Sequence, residues 1–201
     1  EMAAGIAHEI RNPMASISGS IEVLKEGLAW DSTESQLMAI VSREIDRLNQ
    51  LISDFLLFAR PKETKLRAFD LNQVIMESLA LFKNGPRWNE NVSVLTHFMD
   101  SVTIESDPDQ IKQVLWNLFL NACDAMPDGG ILDIGTKWVF ETPESTNKNV
   151  AIVIHDTGDG FDPITLPKLF TPFFTTKEGG SGLGLATVKR IIDQLQGRIS
   201  G

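Results

Sequence analysis

The chain has 201 residues, 42% apolar and 22% charged, a composition that can bury a core and excludes a disordered segment. Lys and Arg number 18 against 27 Asp and Glu; the net charge of −9 speaks against nucleic acid or an anionic membrane surface as the main partner, but not against a nucleotide in a local site. The single cysteine, Cys123, excludes an intrachain disulfide and fits a reducing compartment, and no apolar run approaches the ~18 residues of a membrane span.

Ile6, Ile10, Met14, Ile17, Ile21, Leu24 and Leu28 step by threes and fours, an a/d seam that predicts a first helix. His8 lies two residues from both Ile6 and Ile10, so it sits off the seam and is expected to face solvent. Pro13 removes a backbone donor and is expected to bend the helix beside it. Asp31-Ser-Thr-Glu34 reads as a turn with an N-cap and an acidic first helical turn. A second helix carries Leu37, Val41, Ile45, Leu48, Ile52 and Phe55 on one stripe and ends at Pro61. Ile40, Leu51 and Phe58 give it more apolar positions than one partner helix needs. The economical solution is a homodimer in which two antiparallel hairpins build a four-helix bundle; the alternative is a hairpin packed on the rest of its own chain.

From Lys65 the texture changes. Residues 66–69, 92–98, 102–105, 131–139 and 150–155 read as strands. Asp70 caps a helix with Val74, Ile75, Leu79 and Phe82, ended by Gly85-Pro86. Asp107-Pro108 opens another, through Ile111, Val114, Leu115, Leu118 and Ala122, and residues 187–196 are helical up to Gly197. Helices among mixed strands indicate a two-layer α/β sandwich, hinged to the hairpin over residues 61–64, with domains expected at 1–62 and 65–201. Glu1 falls inside a helical pattern and Ile199 reads as the start of a strand, so both ends are expected to be cuts in a longer protein.

Three stretches carry nucleotide chemistry. Asn117 and Asn121 lie four apart on one helix face. Their amide oxygens are hard ligands suited to Mg2+; the plainer use of such a pair is hydrogen bonding along the helix. Asp156 follows an apolar strand, and Gly158 and Gly160 let the backbone turn sharply. A carboxylate there can accept the exocyclic amine of adenine, where guanine presents a carbonyl; the plainer use is a turn. Gly179-Gly-Ser-Gly-Leu-Gly184 precedes a helix from near Leu185, whose amides and positive end can hold phosphate oxygens. Leu185 stands where a Walker loop needs Lys and where a dinucleotide fingerprint needs its last Gly, so the run is neither. Lys177 is a phosphate contact or a solvated surface lysine. His8-Glu9 begins like the zinc motif His-Glu-x-x-His, but the fifth residue is Asn12, and His97 and His155 fall in distant strands, so zinc is not expected.

Taken in order, His8-Glu-Ile-Arg-Asn-Pro13, Asn117-Leu-Phe-Leu-Asn121, Asp156-Thr-Gly-Asp-Gly160, Leu169-Phe-Thr-Pro-Phe-Phe-Thr-Thr-Lys177 and Gly180-Ser-Gly-Leu-Gly184 resemble the boxes of a two-component sensor histidine kinase core, over nearly the whole chain. The resemblance implies an α+β multidomain fold: a dimeric four-helix bundle followed by an α/β sandwich of the GHKL (Bergerat) ATP-binding type. It implies ATP and Mg2+, transfer of the γ-phosphoryl group to His8, and a response regulator receiver domain as the next acceptor. Through it, Asn121 is assigned to magnesium and Asp156 to adenine. Asn117, Asp124, Gly158, Gly160, Thr176, Lys177, Gly180, Gly182, Leu183, Gly184 and Leu185 complete the nucleotide site, and Phe170, Phe173 and Phe174 pack to dock a mobile lid. Asp124 stands where many members carry a phosphate-side Lys, and the Asn-x-x-Asp arrangement instead resembles the wider gyrase, Hsp90 and MutL superfamily.

By the same resemblance Glu9 is assigned as proton acceptor for His8, although helix neighbours do not face each other and it must reach around; the plainer use is a solvated helix charge. The resemblance likewise assigns Asn12, one turn after His8, to positioning water for hydrolysis of the regulator's acyl phosphate; the plainer use is a helix-surface amide. Arg11 is a surface ion-pair partner or a phosphate contact. The resemblance further implies a cytoplasmic location for these residues, without nucleic acid or membrane contact, any sensor domain or membrane anchor lying outside them. Two other classes compete. A gyrase- or Hsp90-like ATPase needs a carboxylate base one turn before the magnesium Asn, where this chain has the amide of Asn117. A non-catalytic nucleotide-binding scaffold has no need of His8, Asn121 and Asp156 together.

Overall fold

A computed structural model describes residues 14–24, 33–59, 63–140, 148–177 and 180–200. His8, Glu9, Arg11, Asn12, Pro13, Asp31 and Pro61 lie outside the described residues. The chain divides into two compact units, residues 1–62 with 171–187, and residues 63–170 with 188–201.

In the first unit α1 (residues 14–24) and α2 (Thr33–Ala59) follow one another, Glu34 placing a negative charge in the first turn of α2. Met14 and Ile21 are buried with Ile45, and Met38 and Ile52 pack against them. The rest of the α2 stripe is open: Ile45 is 6% exposed, whereas Leu37 is 55%, Val41 42% and Leu48 49%. One helix covers only a narrow seam of its neighbour, so the hairpin leaves a continuous apolar band uncovered.

The second unit begins with β1 (Arg67–Asp70), α3 (Leu71–Lys83), β2 (Val92–His97), β3 (Thr103–Ser106), α4 (Pro108–Ala125), β4 (Gly130–Phe140) and β5 (Lys148–Asp156). A short 3₁₀ turn, Leu166–Lys168, follows; α5 (Gly184–Gln194) starts in the first unit and continues in the second. Both expected caps are present. Asp70 accepts from Gln73 N, and Asp107 accepts from Asp109 N and Gln110 N with Pro108 in the first turn.

β1 and β3 form an antiparallel pair, and β4 lies between parallel β2 and antiparallel β5. Along β4 the alternation puts Leu132, Ile134 and Thr136 inward. Leu132 and Ile134 join a core with Leu71, Ile75, Leu79 and Phe82 of α3 and Ile111, Leu115 and Phe119 of α4. Thr136 is the buried polar exception, and it is satisfied: its hydroxyl donates to Asn72 Oδ1 and accepts from Met99 N. Val188 and Ile191 of α5 pack with Val114 of α4, and Ile199 packs against them rather than opening a strand; residues 197–200 are irregular.

The helix stops before Gly197, as expected, with its last helical residue at Gln194. Gln196, not the glycine, takes the left-handed conformation, at φ +57°. Gln196 N donates to Asp193 O and Gly197 N to Ile192 O, the paired bonds of a Schellman closure. Gly197 serves by absence, since a Cβ there would fall 3.1 Å from Ile192 Cγ2. Removing the strained Cβ in Gln196→Gly is expected to raise stability by about 1 kcal/mol. A denaturant midpoint that rises with an unchanged slope would show it.

Candidate functional site

α4 supplies one wall of the site within the second unit. Asn117 and Asn121 are both half-buried, at the flank of the face that carries Leu115 and Phe119 into the core. Asn117 Nδ2 donates to Gln113 O at 2.9 Å, so the bond along the helix uses only its amide nitrogen. Asp124 is exposed.

The C-terminal end of α4 is fastened to the end of β5, and this brings Asp156 to the helix. Met126 N donates to Cys123 O at 3.1 Å. Asn89 Nδ2 donates to the carbonyl oxygens of Met126 and Pro127, at 3.1 and 2.9 Å. Thr157 N donates to Ile131 O at 3.2 Å, and its hydroxyl accepts from Ile131 N at 3.0 Å. Gly158 lies so close to the helix end that a Cβ would fall 2.6 Å from both Cβ and O of Ala125. The glycine at this position is therefore a packing requirement, not only a turn.

Asp156 is half-buried and faces Leu132 in the sheet register. Its Oδ1 accepts from Gly158 N at 3.0 Å. That bond turns the carboxylate by the local chemistry of an Asx turn and leaves the other oxygen for an outside donor. Gly160 has φ +68° with open space around it. The structure thus brings Asn121, Asp156 and Gly158 to one end of α4. Asn89 and Thr157, which hold that junction, were not among the expected residues; nothing in Asn89-Glu-Asn91 marks it beyond a turn.

The described residues 171–177 and 180–187 form a strap held together by its own hydrogen bonds. Phe173 N donates to Gly182 O at 2.9 Å, with Phe173 at φ +66° and Gly182 at φ +65°. Between them, Thr175 Oγ1 accepts from Lys177 N at 3.1 Å and Gly180 N donates to Lys177 O at 3.2 Å. Thr176 and Lys177 are exposed on this loop. Leu183 is buried, Ser181 Oγ accepts from its N–H at 3.3 Å, and its carbonyl accepts from Thr187 N at 2.8 Å; Gly184 and Leu185 follow as the start of α5. Phe173 corrects an expectation: its ring is exposed, and its contribution is the left-handed backbone that closes the strap.

Two family profiles match the chain. Residues 1–64 match the His Kinase A (phospho-acceptor) domain, and residues 106–201 match the histidine kinase-, DNA gyrase B- and HSP90-like ATPase. Sensor histidine kinase ZraS of Klebsiella oxytoca is 38% identical over 198 residues, 98% of this chain and 42% of the relative. Sporulation kinase A of Bacillus subtilis (strain 168) is 34% identical over 200 residues, 99% of this chain and 31% of the relative. The chain spans about two-fifths of the length of ZraS, the first of the curated relatives it matches. Among solved structures, histidine kinase ThkA in complex with the response regulator protein TrrA aligns with a TM-score of 0.67 and 30% identity, covering 98% of this chain and 55% of that one. The catalytic domain of ThkA alone aligns at a TM-score of 0.54 and 31% identity, covering 65% of this chain and 82% of that one. With an α+β ATPase fold behind a helical hairpin and these matches along its length, the chain belongs to the two-component sensor histidine kinase family.

Proposed function

We propose that the chain is the phosphotransfer and ATP-binding core of a two-component sensor histidine kinase. Residues 1–62 form the dimerising hairpin that carries His8, and residues 65–201 form the domain that holds ATP. The observation that carries this reading is the pairing, in one chain, of a phospho-acceptor domain match with an ATPase match. The geometry supports it, because Asp156 keeps one carboxylate oxygen for the adenine amine beside the helix of Asn117 and Asn121.

The chemistry follows from these groups. A ring nitrogen of His8 attacks the γ-phosphorus in line, the bond to the ADP oxygen breaks, and Glu9 takes the proton from the other ring nitrogen. The P–N bond then breaks as a receiver-domain aspartate of the response regulator accepts the phosphoryl group. Asn12 orients water for the reverse function, hydrolysis of that acyl phosphate. Among the described residues no group of three or more His, Cys, Asp or Glu could hold a metal ion, and the donor set here is the pair of amides, which suits a hard cation that is otherwise bound by phosphate and water. Asn121 would hold Mg2+, which when bound neutralises phosphate charge. Lys177 and the amides of Gly182, Gly184 and Leu185 are assigned to the phosphates, whereas the Gly180 amide is already given to Lys177 O. The uncovered band of Leu37, Val41 and Leu48 supports a homodimer. Among the described residues no helix is long and apolar enough to cross a membrane. We place this part of the protein in the cytoplasm, where the regulator is.

Incubation with γ-labelled ATP and Mg2+ tests the reading. Acid-labile, alkali-stable label on the protein is expected, and His8→Gln is expected to abolish it. Free phosphate without labelled protein would instead indicate an ATPase, and bound ATP with neither product a scaffold. Asn12→Ala is expected to slow dephosphorylation of a phosphorylated regulator; an undiminished rate rejects its role. Sedimentation as a monomer at micromolar concentration would reject the dimer.

A further inference from the structure

The stretch of chain leading into β1 is tied to the N-terminal end of α4. Asp107 Oδ1 caps the helix, accepting from Asp109 N at 3.0 Å and Gln110 N at 3.1 Å. Its second oxygen, Oδ2, accepts from Lys65 N at 2.8 Å. Three residues into the helix, Gln110 Nε2 donates to Thr64 Oγ1 at 3.2 Å. Asp107 and Gln110 are each only 4% exposed. Gln110 Oε1 is buried and meets no hydrogen-bond partner among the described residues, an arrangement that costs about 1–3 kcal/mol. Helix capping explains one oxygen at position 107, and Ser or Asn supplies that as well. It does not explain the second oxygen on Lys65, nor a buried amide spent on Thr64. Burial alone would push the Asp107 carboxyl up; the N–H groups of Lys65, Gln110 and Asp109, with Arg67 nearby, outweigh it and hold the group below the usual carboxylate range.

We propose that Asp107 and Gln110 clamp the linker to the Asn117–Asn121 helix, and so are positioning residues for phosphoryl delivery to His8 rather than for ATP binding. The inference rests on the kinase reading above. β1 starts at Arg67, so opening the clamp frees residues 64–66 and lengthens the tether by up to ~10 Å at ~3.3–3.6 Å per residue. Extra length by itself dilutes the nucleotide at His8 only about twofold. Losing the fixed direction of the tether costs more, because transfer requires reacting atoms ~3–3.5 Å apart.

Two variants test this in the full chain. Asp107→Ser keeps an oxygen to cap α4 but has none left for Lys65 N, and Lys65→Pro deletes the donor without touching α4. In both, affinity for a fluorescent ATP analogue is expected to stay within about twofold, while the rate of His8 labelling falls by about tenfold. In the parent protein the Lys65 amide is expected to exchange slowly with deuterium, and in Asp107→Ser about a hundredfold faster. Nucleotide affinity falling in step with labelling would overturn the proposal, as would labelling unchanged in both variants. So would a Lys65 amide already unprotected in the parent. If the parent takes no label on histidine, the kinase reading fails and the positioning role with it; a protected Lys65 amide would distinguish that failure from absence of the clamp.

Discussion

Asp156→Asn is expected to weaken ATP binding by one to two orders of magnitude with little loss of stability. The reason lies in which carboxylate oxygen is already used. Oδ1 is held by Gly158 N at 3.0 Å. In the amide variant the carbonyl oxygen keeps that bond, because only it can accept, and the NH2 group is left facing the ligand. The adenine amine then meets a donor instead of an acceptor. A hydrogen bond to a charged group contributes about 1.5–3 kcal/mol, roughly ten- to hundredfold in affinity. Guanine presents a carbonyl at the same place, so the ratio of ATP to GTP affinity is expected to fall further than ATP affinity alone suggests. Calorimetric titration with both nucleotides checks the two effects together. Unchanged ATP affinity would remove Asp156 from the adenine site, and equal losses for both nucleotides would assign it to the Asx turn only.

What could be read from the residues was mostly local. Asp70 and Asp107-Pro108 announce their helices because a cap works within three residues of itself. The strands of the second unit were legible through their alternation, with boundaries shifted by one or two residues. The seam of α2 was legible as a period, but period alone does not say which positions are covered. Ile45 is buried and Leu48, three residues on, is open, because coverage depends on the crossing of α1, not on the pattern.

Long-range fastening left less trace. Asn89 reaches the carbonyls after α4 across 37 and 38 residues, and Lys65 reaches Asp107 across 42. A turn asparagine's amide, or the backbone N–H of a linker residue, looks like any other until the chain is folded. Glycines hide their reasons in a different way. Gly197 marks the end of α5 in the sequence, but not that Gln196 takes the left-handed φ, since a glycine needed for lack of a Cβ looks the same in sequence as one needed for its φ.

Gly182→Ala separates those two uses of glycine and is expected to open the strap of residues 171–187. A Cβ at position 182 would lie 2.4 Å from the backbone carbon of Phe173 and 2.8 Å from its Cα and O. These are backbone atoms and cannot rotate away, and the left-handed φ of +65° adds conformational strain. Together the penalties are on the order of 2–5 kcal/mol, more than one hydrogen bond from Phe173 N to Gly182 O can hold. The strap should therefore lose its closure, and with it the order of the Gly182, Gly184 and Leu185 amides that we assign to the phosphates. Affinity for ATP is expected to fall by at least about tenfold, and the Phe173 amide to lose its protection from exchange. Gly160→Ala is the control for Phe173 protection, not for ATP affinity, because Gly160 is itself assigned to the nucleotide site; it has nearly the same φ, +68°, but open space where the Cβ would go. It carries the strain without the clash, about 1 kcal/mol, and leaves Phe173 protected. Loss of Phe173 protection in both variants would mean that general destabilisation rather than the clash opens the strap; a Gly182→Ala protein with parental ATP affinity would mean that the closed loop has no part in holding the nucleotide.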